Sequence, residues 1–268
     1  MKKMFALLAT TAMFLLGGML SVSAATEPIV LDTSKASEGT ISVQYTQPLT
    51  KKVMVQIVKD KVTYTYNVLD NEVNVFPLQS GTGTYKISVA EGVAANKYRV
   101  AKTATVTVDK FDEKKVFTSS IQLVNFNGKM VSIVELNKLV AGAKTDRDKL
   151  DIIYKYIINN FSYDFDKVSE VAANSSYIPV IDKVYAAKKG ICYDYASLFA
   201  AILRANGIPA KLNMGYYSQV NEYHAWNEVL VDGEWMIIDT TYDSQANEYK
   251  MKFTMKKDAK EFKVVKQY

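Results

Sequence analysis

Gly190-Ile191-Cys192-Tyr193-Asp194-Tyr195-Ala196-Ser197-Leu198-Phe199 holds the only cysteine of a 268-residue chain and places it where a helix begins. Beyond Gly190, the apolar residues Tyr195, Phe199, Ile202 and Leu203 fall on one helical face, and Asn206-Gly207 followed by Ile208-Pro209 ends the run. Cys192 therefore sits in the first turn, where unpaired backbone N–H groups and the positive end of the helix dipole favour thiolate over thiol. The same N–H groups point to where an oxyanion would develop. A lone cysteine is more often a buried structural thiol, so the decision rests on what the chain brings to it.

The deciding partner is a hairpin downstream. Tyr223 to Val231 and Glu234 to Thr240 are strand-like runs separated by Asp232-Gly233, a two-residue turn signal. With that turn, Val231 pairs with Glu234 and Trp226 faces Asp239, so His224 is the diagonal neighbour of Asp239 on the same face. His224 is the only histidine of the chain. One cysteine at a helix start, one histidine, and a carboxylate able to orient it are the parts of thiol acyl transfer. Cys192 attacks a carbonyl carbon, His224 takes and returns the proton, and Asp239 holds the imidazole. No cofactor is called for, and one Cys with one His is too few for a typical zinc site, so no metal is expected.

These residues resemble a known family. Gly190 to Ala196, Leu203-Arg204-Ala205-Asn206-Gly207-Ile208-Pro209-Ala210, His224-Ala225-Trp226-Asn227-Glu228-Val229 and Trp235-Met236-Ile237-Ile238-Asp239-Thr240-Thr241 look like the bacterial transglutaminase-like core domain, from about Leu150 to Asp243. The resemblance implies a papain-like α+β fold and a Cys-His-Asp triad carried by Cys192, His224 and Asp239. Asp194, Trp226, Asn227 and Tyr193 stand as supporting residues, with Asp194 bonding near the helix start and Trp226 covering the His–Asp pair. No side-chain oxyanion donor is assigned, although Tyr185 and Tyr193 are close in sequence. The family includes crosslinkers, peptidases and amidases.

Outward from this core, Thr145-Asp146-Arg147-Asp148 reads as a helix N-cap, followed by Leu150, Ile153, Tyr154, Ile157, Ile158 and Phe161 at helical spacing. Lys183 to Lys189 closes another helix, with Gly190 as its stop. Earlier still, six or seven short alternating runs between Gly39 and Lys110 predict an all-β immunoglobulin-like sandwich. It contains no histidine and no cysteine, so its expected role is structural. The division is then a signal peptide over residues 1–25, a sandwich over 26–110, a connecting segment over 111–130 and a catalytic domain over 131–268.

Lys2 and Lys3, the apolar run Met4 to Leu20 and the small residues Val22-Ser23-Ala24-Ala25 have the build of a secretory signal. The mature chain is expected to be secreted and associated with the cell wall, with no integral membrane segment after signal removal. Loss of both lysines takes the formal charge from +5 to +3, too little to argue for nucleic acid. Lys250, Lys252, Lys256, Lys257, Lys260, Lys263 and Lys266 crowd the C-terminal end. They read as a solvated surface or a contact for an anionic wall polymer. The expected function is a secreted cysteine enzyme acting on a glutamine carboxamide or peptide amide of a protein or cell-wall peptide. The alternatives are a peptidase or peptidoglycan amidase of the same fold, and a non-catalytic surface binding protein that uses the sandwich and basic tail.

Overall fold

The structure, a computed structural model, describes residues 28–268 apart from residues 96 and 175, so the segment read as a signal peptide lies outside the described residues. Seven strands come first: β1 (Ile29–Asp32), β2 (Thr40–Tyr45), β3 (Val53–Lys59), β4 (Val62–Asn67), β5 (Val73–Pro77), β6 (Gly83–Ala94) and β7 (Lys97–Val108). They form two antiparallel sheets, ordered β1-β2-β5 and β4-β3-β6-β7. Alternating β-branched and aromatic residues bury one face of each, with Val43, Val55, Phe76 and Val89 fully enclosed in one apolar cluster. Sequence reading missed β1. With four residues and only Ile29 buried, it carries no alternation long enough to register.

The rest of the chain alternates α1 (Glu113–Val116), α2 (Val131–Leu139), α3 (Asp146–Asn160), β8 (Ser162–Tyr163), α4 (Phe165–Ala173), α5 (Ile181–Ala187), β9 (Lys189–Gly190) and α6 (Cys192–Ala205). It ends with β10 (Ala210–Tyr217), β11 (Val220–Val231), β12 (Glu234–Ile238), α7 (Thr240–Glu248) and β13 (Phe262–Gln267). Every residue of α6 from Asp194 to Arg204 is buried, because α2, α3, α5, α7 and the sheet β12-β11-β10-β13 surround it. The nucleophile candidate thus begins the most enclosed helix of the fold. None of the described helices is long and apolar enough to cross a membrane.

Local chemistry explains the boundaries. Thr145 and Asp148 form a reciprocal capping box at the start of α3. The stop expected at Gly190 falls two residues earlier: Lys188 itself takes the left-handed conformation, φ 50°, and Lys189–Gly190 turns into β9, parallel to β8. Gly190 is required for another reason, since a Cβ there would lie 2.6 Å from the Asp194 Cβ. Asp232 and Gly233 both have positive φ, 55° and 80°, the turn in which a two-residue hairpin matches strand twist.

The C-terminal segment is part of the sheet. β13 pairs with β10, and the Lys266 ammonium donates to the Thr63 carbonyl at 2.6 Å. Lys257 is buried and ion-paired with buried Asp243. The Lys257 side chain therefore departs from the solvated reading of the C-terminal lysines, because it is committed to a buried partner. Gln79 and Gln122 also tie the first seven strands to the rest of the chain, donating to the Gln267 and Asn67 carbonyls at 3.1 and 2.7 Å.

Candidate active site

The site assembles at the start of α6. Ile191 precedes it in extended conformation, and the Asp194 carboxylate reaches back to accept the Ile191 N–H at 2.9 Å. Asp194 is fully buried and also accepts from Lys167 at 2.7 Å and from the Tyr177 hydroxyl. Three donors leave this carboxylate satisfied, so its work is to fix the turn that presents Cys192. Cys192 itself is half-buried.

On the facing sheet, Asn227 pairs with Ile238 and Val231 with Glu234, the register predicted from the turn. The ladder stops one residue short of Trp226 and Asp239, because Asp239 becomes the N-cap of α7. Its two oxygens divide the labour. Oδ1 accepts the Thr241 and Tyr242 N–H groups at 3.1 and 2.9 Å, and Oδ2 meets His224 Nε2 at 2.7 Å. Both side chains are buried. With Nε2 turned to Asp239, Nδ1 is the nitrogen left for the thiol side.

Burial alone would strip the proton from His224. The charge and hydrogen bond of Asp239, joined by the hydrogen bond and charge of Cys192, outweigh it and push the imidazole from 6.5 up to about 10. The geometry therefore favours imidazolium beside sulfur. An imidazole held protonated in this way can supply a proton to a leaving group.

The supporting residues separate. Trp226 is buried, its ring near-parallel to the imidazole at 6.4 Å, and so shields the His224 side from water. Asn227 points to the other face of β11 and donates to the Ala196 and Lys211 carbonyls at 2.9 and 3.0 Å, binding α6 to the sheet rather than entering the site. Tyr193 packs edge-on against Tyr177. Tyr185 is engaged elsewhere, donating to Glu135 at 2.6 Å and contacting the Tyr156 hydroxyl.

Sequence reading missed Tyr163. The β8–β9 bridge pairs it with Gly190, two residues from Cys192, and it lines a cleft of about 510 Å³ together with His224. Burial, then the nearby Cys192, pushes its hydroxyl up to about 12, so it stays a donor at neutral pH. That hydroxyl has no hydrogen-bond partner among the described residues. No local signal marks it, because the contact joins segments 27 residues apart through a two-residue parallel bridge.

Residues 135–240 match the model of the transglutaminase-like superfamily. This region is similar in sequence to the transglutaminase-like core. Members of that superfamily are cysteine proteases or acyltransferases. The UPF0252 protein of Methanocaldococcus jannaschii is 30% identical over 115 residues, which is 40% of this chain and 33% of that protein. The kyphoscoliosis peptidase of Homo sapiens is 24% identical over 153 residues, 53% of this chain and 22% of that protein. The chain thus spans a third or less of the curated relatives it matches. Among solved structures, red sea bream transglutaminase is 12% identical, with 75% of this chain and 47% of that chain covered and a TM-score of 0.31.

Proposed function

We propose that this chain is a secreted cysteine acyl-transfer enzyme acting on a glutamine carboxamide or a peptide amide. The observation that carries the reading is the 2.7 Å contact between His224 Nε2 and Asp239 Oδ2, which leaves the other imidazole nitrogen for Cys192 at a helix start. The Cys192 sulfur adds to the amide carbon, giving a tetrahedral oxyanion. His224 then delivers its proton to the departing nitrogen, releasing ammonia or a peptide amine and leaving a thioester on Cys192. An amine or water, deprotonated by His224, attacks the thioester and frees the thiolate. Asp239 keeps Nε2–H bound throughout, so only Nδ1 moves protons. A peptidase or amidase differs only in the acyl group taken and in the use of water.

The leader of residues 1–25 and the immunoglobulin-like reading of residues 26–110 belong to this proposal. The strand order β1-β2-β5 with β4-β3-β6-β7 supports the second. Cell-wall peptides are the substrates such a location would supply.

The test is incubation of the mature chain with a glutamine donor peptide and a labelled primary amine, and separately with peptide and peptidoglycan fragments. Mass spectrometry of a trapped Cys192 adduct identifies the acyl group. Absence of product with all of them, together with an alkylation rate of Cys192 typical of an ordinary thiol, would overturn the proposal.

Tyr163 supplies the side-chain donor for the oxyanion in this reading, alongside the Cys192 N–H. Tyr163→Phe is expected to lower kcat by about 10²-fold with KM and melting temperature nearly unchanged, since the lost hydroxyl has no hydrogen-bond partner among the described residues. A variant with wild-type kcat removes Tyr163 from the mechanism.

A further inference from the structure

The cleft beside His224 is walled by apolar side chains that the fold leaves uncovered. Helix α4 has an amphipathic sequence yet buries no residue. Its Phe165 and Val168 line the cleft together with Tyr242, Tyr249 and Met251. Phe165 and Tyr249 are each 63% exposed and Met251 55%. Such rings and chains left in water mark a surface built to be covered.

One charge besides His224 lines this apolar cleft, the carboxylate of Glu222. β11 pairs Tyr223 with Tyr216 but Val220 with Tyr217, so residues 221 and 222 bulge out of the ladder. A bulge re-aims side chains, and this one turns Glu222 into the cleft, where its charge acts on the Tyr163 hydroxyl. Glu222 has no ion pair and no hydrogen bond among the described residues, and no lysine or arginine lines the cleft. A carboxylate without a cation, at the end of an apolar groove, is complementary to an aliphatic chain that ends in a positive charge.

Resting on the function proposed above, we infer that this cleft is a subsite for a lysine- or arginine-type side chain of the peptide substrate, its stem between Phe165 and Tyr249 and its cationic head on Glu222. The head is a recognition group and not the attacking amine, because contact with a carboxylate stabilises the protonated form and an amine must lose its proton to attack. The preference runs against the net positive charge of the molecule, +5 for the full sequence and +3 once Lys2 and Lys3 are removed, so it has to come from this local carboxylate.

The experiment uses the full chain and glutamine peptides with lysine, norleucine or glutamate on either side of the glutamine, beside a short unflanked carboxamide. Wild-type kcat/KM is expected to favour lysine over norleucine by about threefold, the size of one ion pair to an exposed carboxylate such as Glu222. The advantage should vanish in Glu222→Gln, turn toward glutamate in Glu222→Lys, and shrink in high salt. Each peptide rate is divided by that of the unflanked carboxamide in the same protein, so that any effect of the Glu222 charge on Tyr163 cancels. The unflanked carboxamide therefore reports the catalytic reading separately from the subsite. Equal use of lysine and norleucine by the wild type, or an unchanged lysine preference in Glu222→Gln, overturns the inference. Where no peptide turns over, the same lysine and norleucine peptides are compared by direct binding to the wild type and Glu222→Gln. A lysine advantage confined to the wild type supports the subsite, and equal binding overturns it.

Discussion

Cys192→Ala is expected to leave no measurable turnover, and Asp239→Asn to lower kcat by about 10⁴-fold with KM little changed. Alanine removes the atom that forms the thioester. Asparagine keeps the shape but presents an amide where Oδ2 now accepts the Nε2 hydrogen. If its nitrogen turns toward His224, the imidazole is forced to carry its proton on Nδ1 or lose it, and the thiol loses its base. The Asp239→Asn effect has a second signature in stability. His224 is held at about 10 rather than 6.5 by interactions in which Asp239 is the largest favourable contributor. A group whose folded-state pKa is raised contributes stability that is fully present below pH 6.5 and is lost as pH climbs toward 10. Melting temperature of the wild type should therefore fall over this window, and the Asp239→Asn profile should be flatter. Parallel pH profiles, or a variant with near-normal kcat, would show that the 2.7 Å contact is structural and not catalytic.

The part of this site that is legible in the sequence obeys short-range rules. Asp232-Gly233 admits one tight turn, the turn sets the register, and parity then places His224 and Asp239 on one face. The start of α6 is legible for the same reason, with glycine before it, a carboxylate at its third position and an apolar face after. Tyr163 and Glu222 obey no such rule. Tyr163 is brought beside Gly190, two residues from Cys192, only by the pairing of β8 and β9, and Glu222 enters the cleft only through a bulge that breaks the alternation on which the hairpin reading depends. Lys188 is another case: a lysine in the left-handed region replaces the glycine stop expected two residues later, and its ammonium lies 3.2 Å from the centre of the Tyr185 ring. Lys257 shows the same limit for charge, whose partners can be distant in sequence. Lys257 has the look of a surface residue among six other lysines, and nothing near it in sequence announces the buried carboxylate that receives it.

That carboxylate gives the remaining large effect. Asp243 lies in the first turn of α7, its N–H donating to the Asp239 carbonyl at 3.1 Å, and its side chain is fully buried. The Tyr154 hydroxyl donates to one oxygen at 2.8 Å and Lys257 pairs with the other, while the Lys257 N–H holds the Ile237 carbonyl at 3.0 Å. Burial pushes the Asp243 carboxyl up to about 6, with Lys257 and Tyr154 pulling against it and Asp239 adding to it. Lys257→Met would leave a buried charge without its cation, and the expected loss of stability near pH 7.5 is about 3–5 kcal/mol. The sign with pH comes from the raised carboxyl. Protonation below about pH 6 neutralises Asp243, so the deficit of the variant should shrink in acid and grow as pH rises. Lys257→Met combined with Asp243→Asn removes both charges and should recover most of the loss, since the pair acts as a unit. Denaturant unfolding of the four proteins at pH 5 and 7.5 measures all three effects. A lysine on a solvated surface would give a Lys257→Met change near zero at both pH values, and that result would detach Lys257 from the helix that carries Asp239.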